Sequence, residues 1–115
     1  MKRVRFYGWE TDGQIEGVMG IERVRDVTLI RHAYVLPEYQ GHGIGRKLLD
    51  HLKKLTATPQ LLVGTWEDAD WAIRFYRNNG FDMLPDKDIL LADYWDIPQR
   101  QIETSVVMGV KLTRD

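Results

Sequence analysis

The chain has 115 residues, 43% of them hydrophobic and 29% charged, with sixteen basic residues against seventeen acidic ones for a formal net charge of −1. That length fits one domain with a core of modest size, and the balanced charge gives no argument for nucleic acid or an anionic membrane as a partner. There is no cysteine, which excludes disulfides, thiolate metal sites and a cysteine nucleophile. No run reaches the length of a transmembrane helix, and the charged start MKRVRFYGWETDG lacks the apolar stretch of a signal peptide, so the chain reads as soluble and cytoplasmic.

In chain order, Val4 to Trp9 has the composition of a strand, and Thr11-Asp12-Gly13-Gln14 is a turn signal. Ile15 to Ile21 alternates Ile15, Gly17, Met19 and Ile21 with Glu16, Val18 and Gly20, so the two segments predict a hairpin. Val27 to Val35 is a longer, more apolar third strand, broken by Leu36-Pro37-Glu38-Tyr39, where proline cannot donate to a ladder. From Ile44 onward, Ile44, Leu48, Leu49, Leu52 and Leu55 form one apolar helical stripe, ended by Thr56 to Pro59.

Leu61 to Thr65 is a short apolar strand, and Thr65 with Asp68 fits a threonine-x-x-acid helix start. Trp71, Ala72, Phe75 and Tyr76 fall on one helical face that Asn79-Gly80 terminates, with Arg74 and Arg77 on a solvated side. Phe81 to Leu84 is a further short strand, Asp86 to Trp95 a short helix stopped before Pro98, and Ile102 to Leu112 a final alternating strand. The order β-β-β-α-β-α-β-(α)-β predicts a mixed α+β fold (mixed α/β), a central mixed sheet flanked by helices in a single domain over residues 1–115. Its strand–helix–strand crossover favours locally parallel pairing.

The stretch YQGHGIGRKLL puts Gly41, Gly43 and Gly45 directly ahead of a helix. A strand that ends in glycines and opens a helix leaves backbone N–H groups unpaired, where the helix dipole adds partial positive charge. Such a place suits phosphate oxygens, and glycines keep side chains from holding the phosphate off. A P-loop is excluded, because Lys47 is not preceded by glycine and Leu48 follows it. A dinucleotide fingerprint fails as well, because Arg46 stands where its third glycine belongs. What remains is Gln40-Gly41-His42-Gly43-Ile44-Gly45.

That string resembles the [Q/R]-x-x-G-x-[G/A] motif of the GCN5-related N-acetyltransferase (GNAT) superfamily, within YVLPEYQGHGIGRKLLDHL. A second segment, WAIRFYRNNGF from Trp71 to Phe81, is similar to the family's A-x-x-F-Y-x-x-x-G-F helix. The two stand in the family's order and separation, and together the resemblance covers roughly Ile15 to Leu84. It implies a GNAT-like sheet and acetyl-CoA as acetyl donor. The backbone of Gln40, Gly41, His42, Gly43, Ile44, Gly45 and Arg46 would hold the pyrophosphate, and Tyr34 and Val35 would pair with the pantetheine arm. Arg46 and Lys47 would add modest screening of phosphate charge. His42 reads as an exposed side chain.

The implied reaction is direct transfer, in a ternary complex, of the acetyl group to a small-molecule or peptide amine. It needs a neutral amine, a stabilised thioester oxygen and a proton for the departing thiolate. Tyr76 matches the tyrosine of the family's Phe-Tyr pair and is the candidate acid; its spacing equally describes a core aromatic. Glu22 and His32 are the candidate bases, with an ordered water as a third route. His32, His42 and His51 show no metal-ligand spacing, so no metal is expected.

The chain departs from the family in three ways. It starts at the hairpin, as a short form without the family's first strand and two helices. Ala69 stands where the family often has asparagine, and Asp86 to Gln101 is an extra segment. Either that segment closes the acceptor side, or a second copy does, in a homodimer using Tyr94, Trp95 or the final strand. The competing reading is a non-catalytic acetyl-CoA-binding or protein-interaction module.

Overall fold

The structure, a computed structural model, describes residues 4–112. Two compact units make up the chain, Met1–Leu61 with Leu112–Asp115, and Leu62–Lys111. Among the described residues there are six strands and four α-helices, the mixed α/β composition that the pattern predicts.

The first unit is an antiparallel meander of β1 (Arg5–Thr11), β2 (Gln14–Val24) and β3 (Val27–Val35), joined to α1 (Ile44–Leu55). The β1–β2 turn places Gly13 at φ +82° after Asp12 at φ +51°, a geometry that Asp-Gly accepts at low cost. Period two along β2 sends Met19 and Ile21 to one face, and Ile44, Leu48, Leu49 and Leu52 bury the apolar stripe of α1. Each such leucine contributes about 2 kcal/mol of burial. A Cβ at Gly17 would stand 3.2 Å from Ile44 and 3.3 Å from Leu48 side-chain atoms, so that glycine is what lets α1 lie close on β2. The end of α1 is capped by Thr56, whose N–H and Oγ1 both donate to Leu52 O, at 3.0 and 2.7 Å. Below it, Thr58 Oγ1 donates to Gln60 O, so Thr28 Oγ1 donates to Thr58 Oγ1 across 2.7 Å, a satisfied buried pair.

In the second unit β4 (Gln60–Trp66), β6 (Ser105–Lys111) and the two-residue β5 (Asp82–Met83) lie side by side in that order. Between them run α2 (Asp70–Asn78), α3 (Lys87–Tyr94) and α4 (Gln99–Glu103). Phe81, Leu91, Val107 and Met108 are fully buried. Both faces of β6 are covered, as befits a strand between two others. Lys87 Nζ donates to Ile102 O and Glu103 O at 2.9 and 3.3 Å, so a cation at the start of α3 satisfies the last carbonyls of α4.

Three expectations are corrected. Thr65 does not start a helix: β4 runs on through Trp66, the Glu67 N–H bonds Thr104 O at 2.9 Å, and α2 begins only at Asp70. Trp71 does not share the buried face. Ala72 and Tyr76, four residues apart, define that face, and Trp71, about 100° away around the helix, points to solvent. The final strand starts at Ser105 instead of Ile102, because Pro98 opens the short α4 and Thr104 Oγ1 folds back onto Arg100 O. The Asp86–Gln101 segment forms α3 and the start of α4, and it sets Trp95 on its own unit: a Cβ at Gly64 would lie 3.4 Å from that indole.

Candidate functional site

At the end of β3 the Leu36 N–H bonds Glu16 O, and Pro37–Tyr39 makes one 3₁₀ turn. Gln40 Nε2 then donates to Val35 O at 3.0 Å, tying the turn back onto the last strand carbonyl. Gly41 and Gly43 follow at φ +81° and +82°. Both lie in the left-handed region, where a side chain costs about 1–2 kcal/mol, and nothing stands within 4 Å of a Cβ at either position. Gly43 is the N-cap of α1, its carbonyl accepting the Lys47 N–H at 3.0 Å.

Among the described residues, none of the N–H groups from Gly41 to Arg46 has a hydrogen-bond partner. The first turn of α1 contains no carboxylate and does contain Arg46. Ile44, buried, pins this turn to the core. The result is a fixed, open set of donors at a positive helix end, which is the chemistry a phosphate requires.

Around the loop, Tyr34 is exposed beside Val18, and Val35 lies beside Gly17. His42 and Arg46 are exposed. Lys47 sets Nζ 5.0 Å over the Trp9 ring.

The base candidates are both in the first unit. Glu22 is only 4% exposed and forms an ion pair with Arg31 Nε at 3.4 Å. His32 is exposed at a bulge: between the pairs Val18–Tyr34 and Gly20–Arg31 the ladder shifts, so two β3 residues face one of β2. His32 takes φ +53° there and stacks on Phe6, with ring centroids 5.9 Å apart.

Tyr76 belongs to the second unit. Its ring is 5% exposed, edge-on to Phe75 at 5.1 Å and tilted against Phe81 at 5.3 Å. The Phe81 and Asn79 N–H groups both donate to Tyr76 O, each at 3.0 Å, and Asn79 Nδ2 donates to Phe75 O at 2.7 Å. Burial pushes the phenol pKa up from 10.0 to about 12. Among the described residues no group of three or more His, Asp or Glu is placed to hold a metal ion, and no helix is long and apolar enough to cross a membrane.

Sequence reasoning missed the bulge at His32, because a histidine in a β-rich run carries no glycine signal there. It also missed the Glu22–Arg31 and Lys47–Trp9 pairs, which join residues far apart in sequence.

Residues 2–83 match the family model described as the acetyltransferase (GNAT) domain. The fold is that of several solved structures. The IAA acetyltransferase from Bacillus cereus ATCC 14579 is 24% identical, with a TM-score of 0.76 over 96% of this chain and 79% of that one. The ribosomal-protein-S18-alanine N-acetyltransferase from Escherichia coli is 19% identical, with a TM-score of 0.72 over 98% and 72%. A GNAT family acetyltransferase from Elizabethkingia anophelis with acetyl-CoA bound is 22% identical, with a TM-score of 0.74 over 95% and 76%.

Proposed function

The chain belongs to the acetyltransferase (GNAT) family, and from that premise we propose that it transfers the acetyl group of acetyl-CoA directly to an amine within a ternary complex. The observation that carries this reading is the run of open N–H groups from Gly41 to Arg46 at the start of α1. Acetyl-CoA, when bound, supplies an acetyl group activated as a thioester. The amides of Gly41 to Arg46 would hold its pyrophosphate, Arg46 would add a cation, and the exposed end of β3 at Tyr34 and Val35 would pair with the arm.

In the transfer a C–N bond forms, the C–S bond breaks, the amine gives up a proton and the sulfur takes one. Tyr76 Oη is the proposed donor to sulfur. Its raised pKa keeps it protonated throughout the neutral range. Because a phenol near 12 is a weaker acid than an ordinary thiol, its main contribution is a hydrogen bond that stabilises developing thiolate charge. As base we favour His32 over Glu22. The imidazole is exposed and, when neutral, has a ring nitrogen that accepts a proton, whereas the Glu22 carboxylate is buried against Arg31.

The near-complete burial of Tyr76 is what favours the second reading, an acetyl-CoA-binding module in which that ring is only core. Calorimetric titration with acetyl-CoA, paired with a thiol-release assay over a panel of amines and peptides, separates the two. Binding with release on any acceptor supports the enzyme, binding without release on all of them supports the module, and no binding refutes both.

A further inference from the structure

The run Thr65-Trp66-Glu67-Asp68-Ala69-Asp70-Trp71 closes β4 and opens α2. Two indoles stand out of the surface here, Trp66 at 58% and Trp71 at 74% exposure, and three carboxylates lie between them. Among the described residues no aromatic ring or cation sits on either indole, and Glu67, Asp68 and Asp70 make no ion pair. Arg74, one helical turn beyond Asp70, is not paired with it. Asp70 has a local role, since in the first turn of α2 it complements the positive helix end. The Glu67 carboxylate and the two indoles have no such role.

The rest of the unit carries the same sign. Residues 62–111 hold five basic and nine acidic side chains. The chain also shows, on its other unit, what an indole of this kind accepts, since Trp9 has the Lys47 ammonium 5.0 Å above its ring.

We infer that the Trp66–Trp71 surface is a docking site for a lysine- or arginine-bearing peptide segment. Charge decides the occupant. Phosphate-rich partners are repelled by the three carboxylates, and an apolar partner would have to strip water from them. A cation over an indole face satisfies both elements at once. A single ammonium is insufficient: one exposed ring or one surface carboxylate gains it only about 2- to 5-fold. A chain with basic side chains at alternate positions presents several cations at roughly 7 Å spacing, so that its contacts with indoles and carboxylates add.

The test uses the full chain without acetyl-CoA, so that it is independent of acetyl transfer. A fluorescein-labelled decapeptide of alternating lysine and glycine is titrated by anisotropy at low salt, with the glutamate–glycine decapeptide and spermidine alongside. The lysine peptide is expected to bind saturably, more tightly than spermidine and more weakly as salt rises, while the glutamate peptide does not bind. Trp71→Ala should weaken it about 5-fold, and Glu67→Gln/Asp68→Asn/Asp70→Asn about 10-fold or more, with melting temperatures confirming that both variants fold. Equal affinity in both variants, or spermidine binding as tightly as the peptide, would overturn the inference. So would self-association, by sedimentation, that Trp71→Ala abolishes, since the occupant would then be a second copy.

Discussion

Replacing Gly43 with alanine separates the two reasons a glycine can stand at that position. At φ +82° with open space around the Cβ, the methyl meets no clash, so the loss of stability is the left-handed backbone cost alone, about 1–2 kcal/mol. For a domain near this size that lowers the melting temperature by roughly 4–8 °C. Gly13, in the β1–β2 turn, is a matched control: its φ is also +82° and nothing lies within 4 Å of its Cβ. Gly13→Ala should therefore lose similar stability and leave coenzyme affinity intact. Gly43→Ala adds a methyl beside the open N–H groups. Displacing phosphate from even one charge-assisted hydrogen bond costs about 1.5–3 kcal/mol, which is roughly 10- to 100-fold in Kd. Calorimetric titration of acetyl-CoA into both variants, with thermal melts beside it, reads the difference. Affinity in Gly43→Ala within about 2-fold of the parent, alongside the same melting loss as Gly13→Ala, would refute the phosphate role and leave a purely structural turn.

Tyr76→Phe should lower thiol release about 100-fold, the low end for one lost transition-state hydrogen bond, while acetyl-CoA binding is preserved; unchanged turnover would remove Tyr76 from the chemistry. The same pair tests burial. Because the folded pKa lies above the unfolded one, Tyr76's contribution is intact below pH 10 and is lost as pH rises through about 12. By pH 11 the parent should therefore lose about 1.4 kcal/mol relative to Tyr76→Phe in denaturant titrations; parallel pH profiles would contradict the burial. His32→Val should destabilise by about 2 kcal/mol despite valine's preference for strands, and His32→Asn by less than about 1, since asparagine tolerates a positive φ. Equal losses would mean that the bulge is not as described. Glu22→Gln should cost about 1–3 kcal/mol by leaving Arg31 without its carboxylate, and the loss should appear in chemical denaturation with little change in the pH profile of turnover. A shifted pH–rate profile would instead return Glu22 to the base role.

The bounds of β3 and α1 are legible in the sequence, because each is announced twice: by its apolar period and by a breaker at its end, Pro37 for one and Thr56 for the other. The glycine motif is legible for the same reason, since its backbone role depends on missing side chains. The start of α2 is not. Thr65 and Asp68 satisfy a local rule, but a strand partner at Thr104 outbids it, and that pairing is nearly forty residues away. Trp71 misleads similarly, since a large aromatic raises the expected burial of any face it touches, and only packing reveals that Ala72 and Tyr76 set the register. The surroundings of the base candidates come from cross-strand geometry, Glu22 against Arg31 and His32 against Phe6, which no spacing along one strand encodes.

The open amides of Gly41 to Arg46 also bear on how long the protein lasts. Among the described residues these donors have no protein partner, so an anion would satisfy groups that the fold itself leaves open. An anion that binds the folded loop and not the unfolded chain raises global stability by about 2.7 kcal/mol at a hundred times its Kd. If acetyl-CoA is that anion, the population of unfolded, protease-sensitive chain falls roughly a hundredfold when the metabolite is plentiful. The lifetime of the protein in the cell would then lengthen and shorten with the supply of the molecule it holds.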